Sequence, residues 1–166
     1  MGAGKTTVGR RLAAVRRMTF IDSDHEIEAR TGVDIPYIFE KEGEAGFRLR
    51  ERCVIHALTQ RCDIVLATGG GAVLDPDNRH DLAARGLVVY LHASVEQQVQ
   101  RTGRAQNRPL LHGATRRREI LQNLFAIRDP LYREIAHLVL DTDGRNAKLL
   151  VREIEQHLQC ASQQTL

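Results

Sequence analysis

Gly2-Ala3-Gly4-Lys5-Thr6-Thr7 opens the chain and matches the later part of the pattern Gly-x-x-x-x-Gly-Lys-[Ser/Thr]. That pattern holds phosphate. Glycines let backbone N–H groups close around the oxygens, and the helix that follows points its positive end at them. Lys5 can then reach β and γ phosphates, and Thr6 can ligate Mg²⁺. A glycine-rich turn in which Thr6 or Thr7 caps a helix accounts for the same residues, so the surrounding segments must decide.

Those segments carry carboxylates and guanidiniums. Asp22-Ser23-Asp24 follows the apolar run Thr19–Ile21, and in an extended segment residues two apart share a face. One carboxylate can hold magnesium through water while the other orients a hydroxyl nucleophile. The alternative is a capping box, Ser23 with Glu26, with the aspartates near a helix start. In Phe47-Arg48-x-x-Glu51 the charged pair lies at i, i+3, which is either a solvated surface pair or an arginine held by a glutamate and aimed at a substrate carboxylate. Thr68-Gly69-Gly70-Gly71 directly follows Ile64–Ala67. Three glycines in a row exceed what a turn requires; they admit a ligand to the backbone, with a bulge or tight turn as the alternative. Arg101, Arg104 and Arg108 lie around residues 103–115, and a mobile arginine over a transferring phosphate contributes about 10³–10⁵ in rate. Arg128, before Asp129-Pro130-Leu131-Tyr132, reads as an anion clamp or as an ion pair with Asp129 or Glu134.

Elements must position these groups. Thr19–Ile21, Ile64–Ala67, Leu87–Leu91 and His137–Leu140 are short, continuous and partly β-branched, as strands buried on both faces are. Helical patterns run over 5–17, 24–30, 44–60, 76–85, 94–102, 116–135 and 145–159. Their alternation predicts βαβ units and a parallel sheet. Residues 103–115 break the rhythm and read as a long functional loop. A buried strand normally precedes a phosphate loop, yet here the loop begins at the initiator methionine; the expectation is a true start lying upstream.

Composition narrows the partners. At 166 residues one domain is expected, and 42% hydrophobic with 27% charged residues excludes a disordered tail, a collagen-like repeat or a disulfide knot. No apolar stretch reaches the roughly 18 residues of a membrane span, and no signal-peptide core follows Met1, so a cytoplasmic protein without a membrane partner is expected. Cys53, Cys62 and Cys160 form no Cys-x-x-Cys pair and read as reduced structural thiols. A formal charge of +3 and the absence of Trp give no reason to expect a nucleic-acid partner. Only Lys5, Lys41 and Lys148 of the 24 basic residues are lysines; arginine forks suit small anions, but genomic base composition is the weightier reason for the ratio.

Taken in order, Gly-Ala-Gly-Lys-Thr, Asp-Ser-Asp, Phe-Arg-x-x-Glu, Thr-Gly-Gly-Gly, Arg-Pro-Leu-Leu and Arg-Asp-Pro-Leu-Tyr resemble shikimate kinase from Gly2 to about residue 158. The resemblance implies an α/β, three-layer P-loop kinase fold: a parallel β-sheet, five-stranded in the family, flanked by helices. It further implies a substrate-binding helical region at about 24–60 and a lid at about 103–115. The implied reaction moves the γ-phosphoryl group of ATP to the 3-hydroxyl of shikimate, giving ADP and shikimate 3-phosphate on the route to chorismate and the aromatic amino acids. By position, Gly2, Ala3, Gly4, Lys5, Thr6 and Thr7 would bind ATP phosphates, with Lys5 neutralising the transferred group. Thr6 and Asp22 would hold Mg²⁺. Asp24 would hold the shikimate hydroxyls and act as base. Arg48, steadied by Glu51, and Arg128 would grip the carboxylate, while Gly70 and Gly71 would offer backbone donors. Arg101 would flank the adenine, Arg108 would reach the phosphates from the lid, and Arg145 would lie near the adenine. A monomer is implied. The competing readings are another small P-loop kinase, acting on gluconate or a nucleotide, and a non-catalytic truncated relative.

Overall fold

A computed structural model of the chain describes residues 2–103 and 114–163. It contains two compact units, Gly9–Val88 and Met1–Val8 with Val89–Leu166.

The phosphate-loop glycines lead into helix α1, Lys5–Arg16. In the Gly9–Val88 unit, strand β1 (Thr19–Asp22) is followed by helices α2 (Ser23–Thr31) and α3 (Ile35–Thr59), then by strand β2 (Ile64–Ala67). β1 and β2 pair in parallel, with Thr19 opposite Ile64 and Asp22 opposite Ala67. The glycine run then turns through a 3₁₀ segment, Ala72–Leu74, into α4, Pro76–Arg85. Its core joins Ile27, Ile38, Phe47, Val54 and Leu58 to Ile21, Val33, Ile35, Ile64 and Leu66. Helices and sheet thus bury their apolar faces against each other, each large side chain contributing about 1.5–3 kcal/mol.

Two local features differ from the sequence reading. α2 starts at Ser23, and its cap is Asp22, whose carboxylate accepts the Asp24 N–H at 3.1 Å. Ser23 is therefore not the capping residue; its buried hydroxyl instead accepts the Gly69 N–H at 3.1 Å. Asp24 consequently sits in a helical first turn rather than in an extended segment. α3 begins at Ile35, nine residues before the expected helix, because Asp34 caps it, accepting the Tyr37 N–H at 2.9 Å, and Pro36 suits its first turn. It bends at Gly43, where φ is 68° and ψ is −174°.

The other unit repeats the scheme. Strand β3 (Val89–His92) leads to helices α5 (Val95–Gly103) and α6 (Ala114–Ile135), then to strand β4 (Leu138–Asp141) and helix α7 (Ala147–Gln163). β3 and β4 are parallel, with Val89 opposite Leu138. Val8, Ala93, Leu121, Ile135, Leu140, Leu150, Val151 and Ile154 are buried aliphatic residues among those described in it. The four strands form two two-stranded parallel sheets, and among the described residues no strand precedes the phosphate loop. The three cysteines are exposed, contrary to a structural role in the core. No helix among the described residues is long and apolar enough to cross a membrane.

Candidate active site

The carboxyl ends of β1 and β2 place four chemical groups together in the Gly9–Val88 unit. α2 carries Asp24, α3 carries Arg48 and Glu51, and the loop after β2 supplies Gly69 to Gly71. A methyl group added at Gly69 would lie 2.7 Å from Asp24 Oδ1 and 3.0 Å from Glu51 Oε1. One added at Gly71 would lie 2.4 Å from Arg48 Nη2 and 2.5 Å from Nη1. The backbone conformation at Gly71 is ordinary (φ −100°), so what a side chain there would disturb is the position of the Arg48 guanidinium.

Arg48 Nη1 donates to Glu51 Oε2 at 2.6 Å, and Glu51 is 1% exposed, so this pair is not a solvated surface pair. Burial pushes the Glu51 carboxyl above its ordinary range; Arg48 opposes this, while the charges of Asp24 and Asp75 add to it. For Arg48 burial acts downward, yet Glu51 and Glu44 outweigh it and hold the guanidinium above its ordinary value. Glu51 Oε1 is buried without a hydrogen-bond partner, a polar atom facing the same glycine as Asp24. The cluster thus combines a cation for a carboxylate with acceptors for hydroxyl groups.

Asp22 is half-buried at the head of α2, and the bond from Asp24 N–H occupies its Oδ1. A single carboxylate of this kind suits magnesium, which keeps several waters and draws other ligands from phosphate oxygens.

In the other unit, Gly2 and Gly4 have φ of 70° and 85°, the left-handed region glycine tolerates. The Gly4 carbonyl accepts the Val8 N–H at 3.0 Å, closing the first turn of α1. Thr6 and Thr7 are exposed there, and that turn contains no acidic residue, so its N–H groups and dipole suit a phosphate. Arg101 donates to the Gly2 carbonyl at 3.0 Å and to Thr142 Oγ1 and O at 3.1 and 2.9 Å. Its hydrogen-bonding face holds the phosphate loop to the turn after β4.

Arg128 has a buried Nε without a hydrogen-bond partner. Asp129 is taken by Tyr90, at 2.9 Å, and by Arg133, at 2.8 Å. Arg145 bonds to the Asp141 carbonyl and to Glu153. Arg104 and Arg108 lie outside the described residues. Two contributors escaped the sequence reading: Ser23, whose hydroxyl fixes the glycine run, and Glu44, whose Oε1 accepts from Arg48 Nη2 at 3.0 Å. The i, i+4 spacing of Glu44 and Arg48 was the available signal.

The shikimate kinase family model matches residues 1–159. The shikimate kinase of Pseudomonas syringae pv. syringae (strain B728a) is 59% identical over 154 residues, covering 93% of this chain and 89% of that protein. That of Haemophilus influenzae (strain PittEE) is 56% identical over 154 residues, covering 93% and 86%. Among solved structures, shikimate kinase from Acinetobacter baumannii in complex with shikimate matches with a TM-score of 0.90 and 53% identity, over 97% of this chain and 89% of that one. Shikimate kinase from Bacteroides thetaiotaomicron matches with a TM-score of 0.89 and 30% identity, over 96% and 94%. With motif order, parallel strand pairs and nearly full-length matches all in accord, the chain belongs to the shikimate kinase family and has its α/β P-loop kinase fold.

Proposed function

We propose that the chain is the phosphotransferase its family name describes, moving the γ-phosphoryl group of ATP to the 3-hydroxyl of shikimate. The observation that carries this reading is Arg48 packed on Gly71 and held by buried Glu51, beside Asp24 on Gly69. A fixed guanidinium next to a carboxylate suits a small hydroxylated acid better than a neutral sugar or a nucleotide base.

In the proposed mechanism Arg48 and Arg128 bind the shikimate carboxylate, and the N–H groups of Gly70 and Gly71 receive its polar edge. Asp24 orients the 3-hydroxyl. As the new oxygen–phosphorus bond forms and the bond from γ-phosphorus to the β,γ-bridging oxygen breaks, Asp24 takes the hydroxyl proton. Gly2 to Thr7 cradle the ATP phosphates and Lys5 offsets charge on the transferred group. Arg108 acts from the lid; Arg101 and Arg145 serve the nucleotide. Thr6 and Asp22 would hold Mg²⁺, which when bound supplies positive charge to the phosphate oxygens. Positioning and charge stabilisation supply most of the catalysis in such transfers. The reading takes the chain as cytoplasmic and, on the family resemblance, as a monomer.

A coupled ADP-release assay tests it. ADP should appear with shikimate, ATP and Mg²⁺ together, and not with gluconate or a nucleoside monophosphate. Turnover of either alternative acceptor at a comparable rate would overturn the assignment. Binding of ATP and shikimate without product would mark a non-catalytic relative.

A further inference from the structure

Arg48 is already flanked by two carboxylates. Glu51 holds Nη1 at 2.6 Å, and one oxygen of Glu44 accepts from Nη2 at 3.0 Å and from Nε at 3.3 Å. A carboxylate binds a guanidinium best through two parallel N–H groups on one edge. Here the Nε/Nη2 edge belongs to Glu44, and the Nη1/Nη2 edge is shared between Glu51 and Glu44. An incoming carboxylate therefore has no complete edge of Arg48 available until one glutamate leaves.

The two glutamates are not equivalent. Glu51 is 1% exposed and makes the shorter bond, whereas the Glu44 side chain is 64% exposed. Leaving Glu51 buried and unpaired would be costly; releasing Glu44 into water is not. Glu44 also follows Gly43, the residue whose left-handed φ bends α3, so it stands beside the one non-helical joint of that helix. Nor does Arg48 need Glu44 for its orientation, because Glu51 and the packing against Gly71 already set it.

We propose that Glu44 is an internal competitor for the substrate: its carboxylate occupies the edge of Arg48 that the substrate carboxylate uses, and must swing out for binding. Substrate affinity is thereby set below what Arg48 alone would give. The inference rests on the functional reading above, in which Arg48 receives the carboxylate.

The test compares wild type with Glu44→Gln and Glu44→Ala, and with Glu40→Gln as a control that removes the same charge from the same helix. Steady-state turnover and calorimetric binding of shikimate and its methyl ester are the readouts. Displacing an exposed ion pair corresponds to about a two- to fivefold change. Both Glu44 variants should lower the KM and Kd for shikimate by that factor, with kcat and the KM for ATP unchanged. Glu40→Gln should not alter them, and the uncharged ester should gain nothing from the Glu44 variants. A shikimate KM that stays constant or rises would overturn the proposal, a rise marking Glu44 as a support for Arg48. Equal tightening of the ester would overturn it as well. If wild type neither binds nor phosphorylates shikimate, the functional reading itself fails and this inference falls with it.

Discussion

Removing Arg48 leaves Glu51 as a carboxylate in a place that water barely reaches, so the loss is felt twice. The substrate loses a charge-assisted bond of about 1.5–3 kcal/mol, which is about 10–100-fold in affinity. Arg48→Ala should therefore raise the KM for shikimate by about that factor and leave the KM for ATP nearly unchanged; equal loss of both would remove Arg48 from the carboxylate site. Asp24→Asn tests the base: kcat should fall by about 10²–10⁴ with ATP affinity retained, and unchanged turnover would reassign the proton. Glu51 adds a pH signature. Its pKa is raised above the ordinary 4.5, burial being the largest cause, so the folded chain holds this proton more tightly than the unfolded chain. That contribution to stability is full below pH 4.5 and is lost as pH rises through the raised value. Urea unfolding at a series of pH values should show the stability of wild type relative to Glu51→Gln declining across that window. A difference that grows with pH would contradict the burial argument.

α3 shows how one helix both positions and limits the site. Gly43 has backbone angles that only glycine adopts readily, and the helix bends there while Glu42 and Arg50 bond across the bend at 2.6 and 2.8 Å. Gly43→Ala should cost about 1–3 kcal/mol of stability, read from the urea midpoint, and a neutral result would mean that the bend relaxes without strain. The same residue explains why a helix over 44–60 was readable while its first turns were not. The break in phase at Gly43 hides the earlier half, although Asp34 and Pro36 are an ordinary helix start. Asp22 and Asp24 illustrate a second limit. Sequence placed both carboxylates at the end of β1, but whether Asp22 or Ser23 caps α2 depends on a bond from Gly69, 46 positions away. Strand and helix alternation is a local signal of periodicity; partners across such distances are not.

On the scale of the whole molecule, periodicity made the four strands and the helices legible, while the pairing of β1 with β2 and of β3 with β4 depends on contacts between distant segments. Ser23 and Glu44 went unread because their roles require a neighbour placed by that folding. What the folded chain then provides is a linkage between binding and stability. Glu51 lies on the same face of α3 as Phe47, Val54 and Leu58 of the core and holds Arg48, so a ligand held by Arg48 stabilises only the state in which that core is assembled. Shikimate at about 100 times its Kd should raise the unfolding free energy by about 2.7 kcal/mol. Leu58→Ala, which empties a fully buried site, should lower it by about 2–5 kcal/mol. Adding shikimate to Leu58→Ala should restore a comparable increment, because that substitution leaves Asp24, Arg48 and Glu51 in the chain. In Arg48→Ala, with its Kd raised about 10–100-fold, the same concentration should restore only about 0.4–1.4 kcal/mol. Equal protection of the two variants would mean that shikimate stabilises the fold from somewhere other than the Arg48 cluster.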